Sequence, residues 1–157
     1  MKSADLAVLR AMRTRWHAPA AERAMRVLGK AGNNAAVWVG LNVALSVVDS
    51  SNGEAWLICA ALGPIAIGLN YAIKLIAKRP RPVLEGLPPL GGAPSSLSFP
   101  SAHATSSFAV ATAMTRVDSV AALALALALA LSLGRPYLGM HYPPTSSPAP
   151  RSASPSA

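Results

Sequence analysis

The sequence predicts an all-α protein: a multi-pass membrane helix bundle with about four embedded helices behind an amphipathic N-terminal segment. Of its 157 residues, 52% are hydrophobic and only 13% are charged, about half the roughly 25% that is typical of globular domains. The apolar residues form long runs flanked by Lys and Arg, so we expect the cell membrane as the location. We divide the chain into a basic segment (1–32), a membrane core (33–143) and a disordered Pro/Ser tail (144–157).

The net charge of +8 is unevenly distributed. Seven of the fourteen Lys and Arg residues lie in the first thirty positions, and four more lie between Lys74 and Arg81. Aromatic residues make up only 5% of the chain and offer few platforms for stacking bases, so we expect no nucleic-acid partner. Attraction to the anionic headgroups of the bilayer explains the same charge. The single cysteine, Cys59, allows no disulfide within one chain, and we expect it to be buried.

The first element is an amphipathic, basic stretch over residues 3–29, with a break at Pro19. We expect two short helices, either on the membrane surface or as a solvated pair in the cytosol. Arginines such as Arg10 and Arg13 interrupt this region, so it lacks the apolar core of a cleavable signal peptide.

Two apolar helices follow. Residues 35–48 are short for a span, because a bilayer core needs about 20 residues. Residues 55–77 have the right length and end at Lys74, Lys78 and Arg79, whose long stems can reach the headgroups.

A loop and two further helices complete the predicted core. Residues 79–100 hold six prolines and three glycines, so they form a long loop of the kind that often carries function. Ser101 is a candidate N-cap for a helix that runs to about residue 115. Residues 119–133 alternate Leu and Ala with the period of a strand, but both residues favour helices and an open strand edge is not tolerated in lipid.

Three clusters of reactive side chains stand at the ends of these helices, where they can converge on one pocket at the membrane surface. Lys74, Arg81 and Arg135 supply cations, and the helix that begins at Ser101 adds oriented N–H groups. This set suits a phosphoryl group in transfer, which spreads negative charge over its oxygens. His103 and His141 could attack phosphorus and protonate the leaving oxygen.

Each cluster also has a simpler interpretation. Lys74 could anchor a helix end at the headgroups, His103 could cap a helix, and His141 could lie in an interfacial turn. Their combination favours a shared site, because ionisable residues at the edge of a membrane are few and nearly all fall in these clusters.

The three clusters resemble the signature motifs of the type-2 phosphatidic acid phosphatase and vanadium haloperoxidase superfamily. Order, spacing and residue type match over roughly residues 35–143. Two small departures are Ala102, where glycine is commoner, and Gly134, where serine is commoner. The motifs are Lys74-x6-Arg81-Pro82, Pro100-Ser-Ala-His103 and Arg135-x5-His141.

The resemblance implies a helical membrane phosphatase that needs no metal and no cofactor and acts on a membrane lipid phosphate. It implies that His141 attacks phosphorus to form a phosphohistidine, and that His103 protonates the leaving group and later activates water. It also implies a set of groups that bind the phosphoryl oxygens: Lys74, Arg81, Ser101, the Ala102 amide and Arg135.

The third motif departs from the family pattern after the nucleophile. The family has an aspartate that orients the histidine, and this chain has Thr145. We therefore expect reduced activity, and we interpret the Pro/Ser tail as a truncation or a frameshift. If the codons end in G or C, restoring one base after Pro143 can place Asp at this position and restart an apolar helix, which the nucleotide sequence of codons 143 to 146 would test.

The substrate and the topology stay open at this point. Phosphatidate, phosphatidylglycerol phosphate and polyprenyl phosphates all fit, and we expect the loop over 83–98 to select among them. A catalytically impaired remnant and a vanadate haloperoxidase are the alternatives. The basic N-terminus suggests a cytoplasmic start, which would return the Lys74 to Arg81 loop to the cytoplasm if residues 35–48 cross the membrane.

Overall fold

The computed structural model describes residues 2–92 and 96–142, and these confirm the all-α prediction. Across these two ranges the regular structure is helical apart from one isolated bridge between Pro80 and Leu97. Thr145 and the tail lie outside the described residues, as do positions 93–95 of the long loop. The α-helices are α1 (Lys2–Arg13), α2 (Pro19–Ala31), α3 (Ala36–Val48), α4 (Gly53–Ala77), α5 (Ala102–Val117) and α6 (Leu123–Tyr137).

Within residues 2–92 and 96–142, one helical stretch is long and apolar enough to cross a membrane. It runs over Ser50–Ala77, which is α4 with the 3₁₀ turn before it. The pair formed by Pro19–Ala31 and Asn33–Val48, bent by 56° at its break, would be a second if it acts as one broken span. α6 is apolar but shorter. The count of about four embedded helices therefore stays a prediction.

The core lies where α3, α4, α5 and α6 meet. Trp38 of α3 is fully buried, and its Nε1 donates a hydrogen bond to Oγ of Ser107 at 2.9 Å. Beside it, the side-chain amide of Asn42 donates to the Trp38 carbonyl at 2.9 Å. Small residues such as Ala111 and Ala128 are fully buried there and let the helices approach closely. This packing fixes the ends of α4, α5 and α6 relative to one another.

The N-terminal segment, defined as residues 2–35, packs against the end of α6. The chain breaks before Pro19 as expected, and Oη of Tyr137 accepts a hydrogen bond from the Ala18 N–H at 3.0 Å. The ring of His17 stacks on the Tyr137 ring, with 6.4 Å between centroids. α2 therefore lies beside the third motif. Its expected location at a membrane surface or in the cytosol stays a prediction.

The last helix extends further than the sequence indicated. We expected an end near residue 133, before Gly134 and Pro136, but α6 runs through Tyr137. Pro136 removes one backbone donor from the last turn, but the helix continues one residue beyond it. Gly139, with a φ of 73°, then ends the helix, and its N–H donates to the Pro136 carbonyl at 2.8 Å. Arg135 consequently lies in the last turn of α6.

Candidate active site

Lys74 and Arg81, the two cations of the first motif, lie on either side of the end of α4. Lys74 is in the last turn of the helix, and its side chain is only 5% exposed. Lys78 then adopts a left-handed conformation with a φ of 45° and turns the chain away. Arg81 follows in the loop, where its N–H donates to the Ser96 carbonyl at 3.2 Å and its guanidinium donates to the Met140 carbonyl. Both side chains are thereby brought to the same side of the bundle.

His103 lies in the first turn of α5. The Ser101 hydroxyl caps this helix, accepting from the Ala104 N–H at 3.5 Å. The imidazole is 8% exposed, and its Nε2 lies 3.0 Å from the carbonyl oxygen of Gly29 at the end of α2. Because a carbonyl only accepts, Nε2 carries a proton. The ring is held by the N-terminal segment.

His141 is held in one tautomer by two neighbours. Its Nδ1 lies 2.6 Å from the Ser98 carbonyl oxygen, so Nδ1 donates and carries the proton. The other nitrogen, Nε2, lies 3.2 Å from Nη1 of Arg81 and accepts from it. In the neutral ring, Nε2 therefore offers a lone pair. The Ser98 carbonyl therefore fixes the orientation of the ring.

Burial and the neighbouring cations keep His141 neutral. Removal from water, followed by the positive charges of Arg81 and Arg135, lowers the pKa of His141 to about 3. The hydrogen bond to the Ser98 carbonyl acts in the opposite direction but is weaker. Burial also lowers the pKa of Arg81 from its usual value. A neutral imidazole is the form required for nucleophilic attack.

Arg135 is the third cation and is only 5% exposed. Its Nε is buried and has no hydrogen-bond partner among the described residues. Across residues 2–92 and 96–142, no carboxylate forms an ion pair with Arg135 or Lys74. Buried donors and charges are normally paired, so this arrangement is that of an anion site.

One cavity of about 220 Å³ brings most of the expected site residues together. Six of the seven line it: Lys74, Arg81, Ala102, His103, Arg135 and His141. Both histidines thus face one space that is large enough for a phosphate group. The roles assigned to these residues stay predictions.

Ser101 is the expected site residue that does not line this cavity. Its hydroxyl caps α5, and it lines a neighbouring groove of about 330 Å³ between α5 and α6. The groove is mostly apolar, with Phe108, Leu129 and Leu133 on its walls, and it reaches His141. His141 therefore separates the groove from the cation-lined cavity. The expected phosphate contact of Ser101 stays a prediction.

Several residues that shape the cavity were not anticipated. The Ser98 carbonyl and the Gly29 carbonyl hold the two imidazoles. Asn70, one helical turn before Lys74 on α4, and Asn33 also line the cavity. The spacing of Asn70 and Lys74 placed them on the same face of a helix, so Asn70 could have been identified. Carbonyl groups carry no signal in the sequence.

Within residues 2–92 and 96–142, no three His, Cys, Asp or Glu side chains lie close enough to hold a metal ion. The donor set of the cavity is cationic and contains two imidazoles. Such a set binds an oxyanion and moves protons.

Comparisons with known proteins agree with the geometry of the site. The chain is 36% identical over 118 residues to the decaprenylphosphoryl-5-phosphoribose phosphatase of Mycolicibacterium smegmatis, which covers 75% of this chain and 65% of the relative. It is 32% identical over 118 residues to the protein of that name from Mycobacterium tuberculosis, covering 75% of this chain and 66% of the relative. The chain thus spans slightly less than two thirds of the length of these relatives.

Two further comparisons concern solved structures and protein families. No solved structure gave a significant match. The model of the PAP2 superfamily matches residues 54–144, which include all three motifs. On this match and on the similarity to the two relatives, the chain belongs to the PAP2 superfamily.

Proposed function

We propose that this protein is a membrane phosphatase that hydrolyses a phosphate monoester carried by a lipid-linked substrate, through a phosphohistidine intermediate. The observation that carries the proposal is the cavity in which three buried or half-buried cations and two imidazoles meet. Fixed cations of this kind stabilise the charge that develops on a phosphoryl group in transfer. Membership of the PAP2 superfamily supports the same class of reaction.

In the first step, the lone pair on Nε2 of His141 attacks phosphorus. The bond between phosphorus and the ester oxygen breaks, and His103, which enters this step protonated on both ring nitrogens, transfers one proton to that oxygen and becomes neutral. In the structure, the Arg81 guanidinium donates a hydrogen bond to Nε2 of His141. When substrate binds, the guanidinium donates to a phosphoryl oxygen instead, which leaves the lone pair of Nε2 free to attack. Lys74 and Arg135 hold the remaining charge.

In the second step, water attacks the phosphohistidine. His103 accepts a proton from the water, the bond between phosphorus and nitrogen breaks, and inorganic phosphate forms. The Ser98 carbonyl holds the Nδ1 proton of His141 throughout, which keeps Nε2 directed at phosphorus. This contact takes over the orienting part of the role of the family's aspartate.

The names of the two relatives indicate the substrate class that we propose. Both are named for a decaprenylphosphoryl phosphoribose, in which a sugar phosphate is joined to a lipid through another phosphate. We propose that this chain acts on a polyprenyl-linked sugar phosphate of that kind. A location in the membrane fits such a substrate, and one helix is long enough to span.

Phosphate release by the purified, detergent-solubilised chain tests the proposal. The substrates are a polyprenylphosphoryl ribose 5-phosphate and phosphatidate. We expect release from the first, and a loss of at least about 10³-fold in His141→Ala, because removal of a nucleophile has effects of that size. The matched control is His17→Ala, in a histidine outside the cavity, which keeps activity.

A covalent intermediate is the second readout. Brief exposure to substrate labelled at the 5-phosphate should leave acid-labile phosphate on the wild-type chain and none on His141→Ala. Release of phosphate that His141→Ala does not reduce would exclude the mechanism. No release from any lipid phosphate would support an impaired remnant, and bromide oxidation with vanadate would support a haloperoxidase.

A further inference from the structure

A second cationic cavity adjoins the first, and apart from Arg135 its lining residues take no part in the proposed chemistry. It measures about 290 Å³ and lies at the end of α2, where Arg26, Gly29 and Lys30 line it. Gly91 and Gly92 of the long loop also line it. The residues described around it include no Asp or Glu. Its chemistry favours an anion.

Two residues join the cavities. Arg135 and Asn33 line both of them. Nη1 of Arg135 lies 3.5 Å from the position that a Cβ on Gly29 would occupy, so the guanidinium reaches the second cavity beside Gly29. Its buried Nε has no partner among the described residues. One guanidinium with five donors can therefore contact an anion on each side.

The side on which the leaving group departs also places part of the substrate near the second cavity. In phosphoryl transfer the attacking and leaving oxygens or nitrogens lie roughly in line, so the leaving group lies on the side of phosphorus opposite His141. His103 must be on that side to protonate it. Nε2 of His103 bonds to the Gly29 carbonyl, and Gly29 also lines the second cavity. The leaving group is thus directed toward Arg26 and Lys30.

The cations of the second cavity do not attract an anion equally, because one of them is already paired with a carboxylate. Nε and Nη2 of Arg26 each lie 2.7 Å from Oε1 of Glu22, so part of its charge is already compensated. Lys30 is exposed on the same helix, in its last turn. Lys30 and Arg135 therefore supply most of the attraction, and Arg26 adds a donor.

We propose that the second cavity binds a second phosphate of the substrate, the diester that joins the sugar phosphate to its lipid. This inference rests on the proposed function and deepens it: the enzyme selects lipid-linked sugar phosphates with two phosphate groups. The scissile phosphate lies in the first cavity and the diester in the second. The sugar bridges them beside Asn33.

The test compares two substrates that share one polyprenyl chain. The first is a polyprenylphosphoryl ribose 5-phosphate, with two phosphates, and the second is the polyprenyl monophosphate, with one. The measured quantity is the ratio of kcat/KM for the first to kcat/KM for the second. We expect this ratio to fall about tenfold in Arg26→Gln/Lys30→Gln, mainly through KM, because charge-assisted bonds to one phosphate are lost.

A double variant of equal charge serves as the control. Arg15→Gln/Arg23→Gln removes two exposed cations of the same segment that do not line the cavity, and it should leave the ratio unchanged. Lys30→Gln alone keeps the bonds between Arg26 and Glu22, so it tests the site without disturbing α2. It should lower the ratio severalfold.

The outcomes separate the two proposals. If both substrates are hydrolysed and the ratio stays within twofold of wild type in Lys30→Gln and in the double variant, the second site is wrong and the phosphatase stands. If the control lowers the ratio equally, the effect is general surface charge and the site is again wrong. If neither substrate is hydrolysed by the wild-type chain, the proposed function itself has failed.

Discussion

The N-terminal segment and the motif-bearing core meet at the same cavity but contribute to it in different ways. The core supplies the cations and the imidazoles, from Lys74 on α4 to His141 after α6. The N-terminal segment supplies a carbonyl group at Gly29, a close packing surface at Gly32 and the amide of Asn33. The family model covers residues 54–144, so the part of the cavity wall formed by Gly32, Asn33 and Asn34 lies outside it.

The two regions therefore contribute in different ways: the core supplies charged and titratable side chains, and the N-terminal segment shapes the cavity. A phosphoryl group needs cations and imidazoles, and these carry their identity in the side chain. A wall that positions an imidazole needs only a backbone acceptor and the right volume. Substitutions in the core should therefore change the reaction through charge, and substitutions in the N-terminal segment should change it through packing or substrate choice.

Among the substitutions that compare the two regions, Arg135→Lys in the core should have the largest effect. Lysine is a point charge and cannot replace a planar guanidinium that faces two cavities. We expect kcat/KM for phosphate release to fall about 10²- to 10³-fold, the size of effect of removing one donor from a charge-stabilising site. Arg116→Lys, at the exposed end of α5, is the matched control. A loss below threefold in Arg135→Lys would contradict the site.

The second prediction concerns the dependence of core stability on pH. The pKa of His141 is about 3 in the folded chain, against about 6.5 for a free histidine. Between these values the unfolded chain binds more protons, so stability is present above pH 6.5 and is lost as the pH falls toward 3. Between pH 6.5 and pH 4 this single group lowers the free energy of unfolding by up to about 3 kcal/mol.

Thermal midpoints in detergent measure this effect. The midpoint of the wild-type chain should fall between pH 7 and pH 4 by more than that of His141→Gln, which has no group to titrate. Parallel curves for the two proteins would show that the buried imidazole does not govern acid sensitivity.

The third prediction tests shape in the N-terminal segment. A Cβ on Gly32 would lie 2.8 Å from Cδ2 of His103 and 3.0 Å from Cδ2 of Leu131. Gly32→Ala should therefore displace the imidazole and lower kcat about tenfold, because small shifts of a catalytic group are costly. KM should change little. Gly40→Ala is the control, since nothing lies within 4 Å of its added Cβ. Equal kcat values in the two variants would show that packing at Gly32 does not position the His103 imidazole.

The smallest effect should come from Tyr137→Phe, which removes the bond to the Ala18 N–H. One exposed hydrogen bond contributes about 0.5–1 kcal/mol. We expect faster amide hydrogen exchange in α1 and α2 and unchanged exchange in α4 and α5. Tyr71→Phe on α4 is the control. Faster exchange throughout the chain would show that the two regions unfold as one unit.

Much of the fold could be predicted from local patterns. Pro19 separated two amphipathic helices, the prolines after Arg79 excluded a helix, and Leu and Ala outweighed the strand-like alternation in α6. These outcomes depend on backbone geometry and propensity, which act within a few residues. The end of α6 was placed too early, because the carbonyl groups of its last turn are satisfied by N–H groups beyond Pro136.

The sequence by itself determined the helical class and which side chains are available for chemistry, since the cations and imidazoles of three spaced motifs carry their chemistry in the side chain. Only the tertiary structure decided which of those groups share a cavity, why Ser101 lines the neighbouring groove, and how Gly29 and Ser98 hold the two histidines. Every residue has a carbonyl group, so its position in space, and not its place in the sequence, gives it a role.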